Sequence, residues 1–457
     1  MKKIIYLFIG ILTAGLMSCS EDFLDPELQQ TKKFDEALET ATDLHNATKA
    51  VYANMNTAEY YGRDYIVFGE TRSDNTANDF GTGRYINVSL FQMIESDGYA
   101  TDTWDNIYEC IQQANIVIHA DVSGDAAEIN YYKGQAYALR GLLYFDLMRL
   151  YSTMFVTGSD MGIPIVTKYD ETGSAEPPAR ATIAQTRTQI EDDFTEALTL
   201  MDPSFDGTKQ EMSVDGAKAL FSRYYLYTGQ YTQAMNMADD ILTNPNYNYQ
   251  YTDPTLYQVM WTNDEANESI FEMAFTNTDR LNTTSVGYMW DWRGYGDFTF
   301  TNDLLSLYGA DDVRWPYTDE GYPVRYQDLN GNYNIRVIDY PEVVLNYVEA
   351  AFQEGDPNSD ALTWLNELAN NRNLNDVPNT YASLTLANIL EERRKEFAGA
   401  GHRYFTLIRN GMDIPAVAGS HLSATIPYGD PVLAFPIPEV ELDANNNIND
   451  EDQNPGY

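Results

Sequence analysis

The chain has 457 residues, of which 28 are Lys or Arg and 69 are Asp or Glu, so its formal net charge is −41 at pH 7. A surface this acidic repels nucleic acid and anionic lipid headgroups, which argues against both as partners. Hydrophobic residues make up 44% of the chain, enough at this length for one large domain or two fused domains.

The N-terminus has the pattern of an export signal. Two lysines precede an apolar run over residues 4–16. Met17 and Ser18 follow the run, and Cys19 comes next. The run is too short to cross the ~30 Å hydrocarbon layer as a helix, so we interpret it as a signal-peptide core. Its end resembles a bacterial lipoprotein signal, which implies that residues 1–18 are removed and that the Cys19 thiol is acylated. The alternative is an ordinary signal peptide with an incidental cysteine.

Two further features of composition concern reactivity and aromatic content. Cys110 is the second of only two cysteines and lies in an apolar helical pattern, so we predict a buried, inert thiol and no disulfide framework. The chain also has 35 Tyr and 6 Trp. Flat apolar rings with a polar edge suit core packing and also contact with sugars or peptides.

Helical periodicity dominates the chain. The clearest helix pair covers residues 215–245, where Gly229 and Ala234 are spaced as in a tetratricopeptide repeat; a second pair covers residues 342–372 with a longer turn. The predicted helical segments are 34–56, 104–119, 127–151, 182–201, 214–228, 231–243, 340–354, 358–372 and 384–400. We therefore predict a mainly α fold of degenerate, tetratricopeptide-like helix pairs.

Long segments without a helical period lie between these helices. Residues 57–103, 244–340 and 411–457 are predicted to be irregular, and the first two are rich in Gly, Asn, Asp, Thr and aromatic residues. Loops of this length are usually functional or disordered, and their aromatic content argues against disorder. We expect them to form a loop-rich half with minor β structure, packed against the helices.

Several separate motifs point to one family. They are CSEDFLD at residues 19–25, LRGLLYFDLMRLY at 139–151, EERRKEFAGAGHRYFTLIR at 391–409, FPIPEVE at 435–441 and the terminal NPGY. In this order they resemble the SusD/RagB family of Bacteroidetes outer-membrane nutrient-binding lipoproteins. The acidic residues after Cys19 also resemble the tag that directs such lipoproteins to the outer face of the outer membrane.

The resemblance carries specific expectations. It implies an α/α superhelix of helix pairs in a single domain over residues 19–457, with an N-terminal part at about 20–240 and a C-terminal part at about 241–457. Members of the family bind glycans, or peptides in some branches, and deliver them to a TonB-dependent transporter of the SusC type. No cofactor and no metal are implied, and the lipid on Cys19 is the expected membrane contact.

The first candidate binding segment is residues 288–298, YMWDWRGYGDF. A sugar site needs aromatic platforms bordered by polar side chains, because sugars present apolar C–H faces and a rim of hydroxyl groups. A strand with one buried face would show the same alternation. The predicted ligand-binding residues here are Trp290, Trp292, Arg293 and Tyr295.

The second candidate segment is residues 72–85, RSDNTANDFGTGRY. Its place in the chain corresponds, by the family resemblance, to the N-terminal contribution to the binding face. The predicted ligand-binding residues here are Asp79, Phe80, Arg84 and Tyr85. Trp261 and Trp315 are further platform candidates, for which a core position is the more common role.

Other charged motifs have simpler interpretations. Arg393, Arg394 and Glu396 are expected to form internal salt bridges rather than to bind ligand. Residues 328–334 faintly resemble a calcium loop, but one carboxylate and an Asn-Gly pair favour a tight turn.

The sequence offers little support for an enzyme. Its four His residues are scattered, and it contains neither a phosphate-binding loop nor a nucleophile elbow. The leading hypothesis is a non-catalytic glycan-binding lipoprotein. A peptide-binding relative on the same fold and a purely structural repeat scaffold are the alternatives.

Overall fold

A computed structural model describes residues 38–457, apart from residues 79, 171–174, 246–248, 316–320, 324, 327, 357–358 and 376–379. Helices dominate the part of the chain that it describes. The first eight are α1 (Ala41–Met55), α2 (Asp64–Thr71), α3 (Ile86–Ser89), α4 (Gly98–His119), α5 (Ala126–Tyr151), α6 (Ile183–Leu200), α7 (Val214–Tyr227) and α8 (Tyr231–Leu242). They are followed by α9 (Val286–Trp290), α10 (Asn302–Leu305), α11 (Tyr340–Glu354), α12 (Ala361–Asn371), α13 (Leu386–Glu396), α14 (Arg403–Arg409) and α15 (Glu439–Ala444).

The long helices confirm the predicted mainly α fold of helix pairs. Helices α4, α5 and α6 pack in succession, α7 packs on α8, α8 packs on α11, and α11 contacts both α12 and α13. Helix α4 begins at Gly98, earlier than the predicted 104, because the Asp97 carboxylate caps it by accepting a hydrogen bond from the Tyr99 N–H. The start of the predicted segment 34–56 lies partly outside the described residues.

The α7–α8 pair has the tight turn that its sequence predicts. Gly229 has a φ of 72°, a left-handed conformation that glycine adopts without steric cost. Ala234 on α8 is fully buried and contacts Leu226 on α7 and Ala350 on α11. A small side chain at this crossing lets the three helix backbones approach closely.

Three short antiparallel strand pairs occur in the described part of the chain. The strands are β1 (Thr76–Asn78), β2 (Met161–Pro164), β3 (Arg180–Thr182), β4 (Ser269–Met273), β5 (Phe298–Phe300) and β6 (Ile335–Asp339). In the described part of the chain β1 pairs with β5, β2 with β3, and β4 with β6. Two of these pairs, β1–β5 and β4–β6, lie in the irregular half, so the minor β structure expected there is present.

Helix α2 corrects the prediction that residues 57–103 are non-helical. All eight of its residues are buried. A helix that is enclosed on every side has no polar face, so its sequence lacks the amphipathic period on which the prediction depends. The short helices α3, α9 and α10 likewise lie inside segments predicted to be irregular.

The charged motif on α13 forms internal salt bridges, as predicted, and these also connect the irregular half to the helices. Arg372 pairs with Glu396 at 2.8 Å and with Glu268, next to β4, at 2.9 Å. Arg314 pairs with Glu396 at 3.0 Å and with Glu392 at 2.6 Å. Buried charges need such partners because isolated charges lose their hydration without compensation.

The remaining members of that motif also have internal partners. Arg393 pairs with Glu349 on α11 at 3.3 Å, and Arg394 pairs with Asp74 at 3.2 Å. Burial alone would raise the pKa of the Glu392 carboxyl, but Arg314 and Lys395 lower it to about 2. The carboxylate therefore stays ionised inside the protein, and the motif has a structural role.

Candidate functional site

The two candidate segments, far apart in sequence, meet in space. Strand β1 lies in residues 72–85, and β5 begins at the end of residues 288–298. The two strands pair in the register Thr76 with Phe300 and Asn78 with Phe298. Backbone hydrogen bonding thus joins residues 72–85 to residues 288–298. We refer to these two joined segments as the paired loops.

Arg84 links the paired loops through its side chain. Its guanidinium carbon lies 3.4 Å from the centre of the Tyr295 ring, a cation–π contact. The same group forms an ion pair at 3.1 Å with Asp297, whose side chain is fully buried. One arginine therefore covers a face of Tyr295 and neutralises a buried carboxylate next to it.

Trp292 and Tyr295 are the exposed aromatic residues of the paired loops. Their exposed fractions are 54% and 37%, which is high for side chains of this size. The chain turns sharply at Gly296, between Tyr295 and Asp297. The φ of Gly296 is 56°, in the left-handed region that glycine adopts without steric cost. The Trp292 ring is the largest apolar surface that the paired loops present to solvent.

Arg293 lies beside Trp292 and is held by its neighbour Asp291. The Arg293 backbone N–H and Nε donate to Asp291 Oδ1 at 2.8 and 2.9 Å. Burial would raise the pKa of the Asp291 carboxyl, but hydrogen bonds from Arg293 and its charge lower that pKa. The pair forms a fixed polar border next to the exposed tryptophan.

Two of the predicted ligand residues are in the core, which contradicts their proposed role. Trp290 is fully buried, and its Nε1–H donates to the Gly399 carbonyl at 3.2 Å. Tyr85 is 1% exposed, and its hydroxyl donates to the buried Asp64 carboxylate. A ring without exposed surface offers no face to a sugar, so both residues act as packing residues.

The rest of the segment 72–85 is only partly described. Phe80 is half-buried in a one-turn 3-10 helix, and its ring makes an edge-to-face contact with His421 at 6.1 Å between centroids. Burial lowers the pKa of the His421 imidazole. Asp79 lies outside the described residues. No sequence pattern points to His421, which comes from the irregular C-terminal region.

The other tryptophan candidates differ in exposure. Trp261 is buried between the guanidinium groups of Arg325 and Arg336, at 4.0 and 4.2 Å, so its core alternative is confirmed. Trp315 is 40% exposed and contacts Tyr308 edge to face. Trp315 therefore remains a candidate platform outside the paired loops.

The Asp328 segment forms a turn, as predicted. The Asp328 carboxylate accepts hydrogen bonds from the backbone N–H groups of Asn330 and Asn332, and Gly331 occupies the left-handed region. Among the described residues, no group of His, Cys, Asp or Glu side chains could hold a metal ion. Cys110 is buried, and burial raises the pKa of its thiol, in agreement with the prediction of an inert residue.

Two large clefts lie outside the paired loops. One of about 490 Å³ is lined by Tyr52, Asn56 and Glu211 among others, and one of about 710 Å³ is lined by Tyr251, Glu367 and a row of asparagines. The residues predicted from sequence to bind ligand do not line either cleft. The paired loops instead present an exposed surface.

Comparison with known protein families shows to which family the chain belongs. Residues 22–226 match the family described as "Starch-binding associating with outer membrane", and residues 202–457 match the SusD family. The chain belongs to the SusD family. The match over the second range covers more than half of the chain, and the two ranges together extend from the segment after Cys19 to the last residue.

Individual SusD-like proteins resemble the chain along most of its length. SusD-like protein P38 of Formosa agariphila is 23% identical over 488 aligned positions, which cover 89% of this chain and 91% of that protein. The structure of a candidate sugar-binding protein from Bacteroides vulgatus has a TM-score of 0.83 and 29% identity, covering 92% of this chain and 99% of that one. A SusD superfamily protein from Bacteroides thetaiotaomicron has a TM-score of 0.82 and 27% identity, with 91% and 100% covered.

Proposed function

We propose that this SusD-family chain is a non-catalytic, glycan-binding protein of the cell surface. It captures an oligosaccharide or polysaccharide and delivers it to a TonB-dependent transporter of the SusC type. The observation that carries this proposal is the exposed Trp292 ring on the paired loops, which also hold the exposed Arg293 and the Arg84–Tyr295 stack. Such an aromatic platform with a polar rim suits the C–H faces and hydroxyl groups of a sugar.

The comparisons support the ligand class. The family matched by residues 22–226 is described as starch-binding and associated with the outer membrane, and the Bacteroides vulgatus relative is a candidate sugar-binding protein. Among the described residues, none of the helices is both long enough and apolar enough to span a bilayer. We propose attachment through a lipid on Cys19 after removal of residues 1–18, with the single domain facing the cell exterior.

A binding screen tests the ligand class. The chain without residues 1–19 is titrated against a panel of polysaccharides, oligosaccharides and mixed-length peptides. We expect binding to at least one glycan and to none of the peptides. Peptide binding without glycan binding would favour the peptide-binding alternative, and failure of every glycan would contradict the proposal.

A second experiment tests the anchor. Replacing Cys19 with Ala removes the acceptor for the lipid but leaves residues 38–457, which form the described fold, unchanged. We expect the purified C19A protein to bind glycan as the wild type does, and cells carrying it to lose glycan uptake. Uptake that persists at the wild-type rate would show that the lipid is not needed.

A further inference from the structure

The basic side chains of the paired loops already have partners within the protein. The two segments contain three arginines and no lysine. Arg72 is buried and donates to the carbonyls of Val432 and Leu433. The remaining two, Arg84 and Arg293, pair with Asp297 and Asp291.

Arg84 and Arg293 cannot easily exchange their aspartate partners for an anionic ligand. Both acidic partners have fully buried side chains. A ligand carboxylate or sulfate that drew either arginine away from its aspartate would remove that arginine's charge from a buried carboxylate, which is strongly unfavourable. The arginines can still border a sugar, but their positive charge is already neutralised.

The net negative charge of the whole chain also repels anionic polymers. With 69 acidic and 28 basic residues, the protein carries a negative field that acts on an approaching polyanion before contact. A polymer with a charge on each sugar experiences this field along its whole bound length. An uncharged polymer pays no such cost.

We infer that the paired loops take uncharged glycans and exclude polymers that carry carboxylate or sulfate groups. This inference rests on the proposed glycan-binding function and adds the chemical class of the ligand. Selectivity arises because the Asp291–Arg293 and Asp297–Arg84 pairs leave the stacking surface of Trp292 without net positive charge.

Matched polymers test the inference. The purified mature chain, kept in detergent with its lipid, is titrated with neutral hexose polymers: starch, β-glucan and mannan. The polymer that binds best is then oxidised so that its hydroxymethyl groups become carboxylates, and part of this product is converted to its uncharged methyl ester. We expect oxidation to weaken binding by at least about tenfold at low salt and esterification to restore most of it.

The outcomes distinguish failure of the inferred charge selectivity from failure of the proposed glycan-binding function. Equal or tighter binding of the oxidised polymer would overturn the inference, as would binding of polygalacturonate or carrageenan when every neutral polymer fails. In both cases glycan binding itself would stand. If no polymer of any charge binds, the proposed function fails, and the inference that rests on it fails as well.

A pair of variants tests the local cause. D291N removes the negative charge beside Arg293 but keeps Oδ1, which accepts from the Arg293 backbone N–H and Nε; the hydrogen bond from Arg293 Nη2 to Oδ2 is lost. The control D240N removes one negative charge from an exposed ion pair with Lys218 on the helical half. We expect D291N to raise the affinity for the oxidised polymer at least about threefold relative to the neutral one, and D240N to leave that ratio unchanged. If the affinity for the oxidised polymer relative to the neutral one were the same in both variants, the Asp291–Arg293 pair would not be the cause of the selectivity.

Discussion

Trp290 and Trp292 lie two residues apart but have different environments. Helix α9 ends at Trp290, which packs edge to face on Phe298 at 5.3 Å and donates to the Gly399 carbonyl. The chain then leaves the core, and Trp292 projects with 54% of its surface exposed. The first residue therefore contributes to stability, and the second is available for a ligand.

This difference predicts that the two tryptophans contribute very differently to the free energy of unfolding. Trp290→Ala removes a large buried side chain and should lower the free energy of unfolding by roughly 3–5 kcal/mol. Trp292→Ala should change it by less than about 0.5 kcal/mol, as is usual for exposed positions. Urea unfolding followed by circular dichroism measures both values. Equal losses in the two variants would contradict the assignment of Trp290 to the core and Trp292 to the surface.

At the scale of elements, the β1–β5 pair is short and depends on side chains that bridge it. The Arg84–Asp297 ion pair is one such bridge, because Arg84 follows β1 and Asp297 precedes β5. Asp297 is buried, whereas the Arg84 side chain is 29% exposed. The solvent therefore screens part of the interaction, and its contribution is smaller than that of a fully buried pair.

A double-mutant cycle measures this bridge. Arg84→Ala should lower the free energy of unfolding by about 2 kcal/mol, because it leaves the Asp297 carboxylate buried and unpaired by Arg84. Adding Asp297→Asn should recover part of that loss, with a coupling energy of about 1 kcal/mol or more. A coupling energy near zero would mean that the two side chains do not stabilise the paired loops together.

The N-terminus of α11 contains a carboxyl group with a shifted pKa. Asp339 caps this helix by accepting a hydrogen bond from the Glu342 N–H at 3.2 Å. Burial raises the pKa of Asp339 to about 7, and the nearby Arg325 and Arg336 oppose this shift only in part. Because its folded pKa exceeds the unfolded value, its stabilising contribution is complete below the unfolded pKa and is lost as the pH rises through about 7.

Asp339→Asn should remove this dependence on pH. Asn retains an oxygen that can cap the helix and has no proton to lose. Between pH 5 and pH 8 the wild type should lose about 3 kcal/mol of stability relative to the variant. Urea unfolding at both pH values gives the comparison. A constant difference between the two proteins across this range would contradict the raised pKa of Asp339.

At the scale of the whole molecule, the helical half could be predicted from the sequence because its helices are long enough for an apolar spacing of three and four residues to repeat. The period of α7 and α8, with Gly229 at the turn, was sufficient to predict a helix pair. Helix α2 could not be predicted in this way, since every one of its residues is buried. The helical period thus failed where burial removed the contrast between two faces.

The candidate site was predictable in composition but not in geometry. Alternating aromatic and charged residues identified the segment 288–298, yet alternation alone could not decide which rings face the core. The pairing of Thr76 with Phe300 joins residues that are distant in sequence, and no local pattern predicts it. The predicted ligand residues that remain on or near this pairing are Trp292, Arg293, Tyr295, Phe80 and Arg84. Asp79 also remains a prediction, and it lies outside the described residues.

Titration of glycan onto the Trp292→Ala variant is the most direct test of the account. The wild type, Trp292→Ala and the control Tyr169→Ala, which removes a 39% exposed aromatic ring outside the paired loops, are compared by calorimetry with the glycan that the wild type binds best. Loss of a stacking platform should weaken binding by at least about tenfold in Trp292→Ala. Tyr169→Ala should bind as the wild type does. Equal affinity in all three proteins would contradict glycan binding at the paired loops.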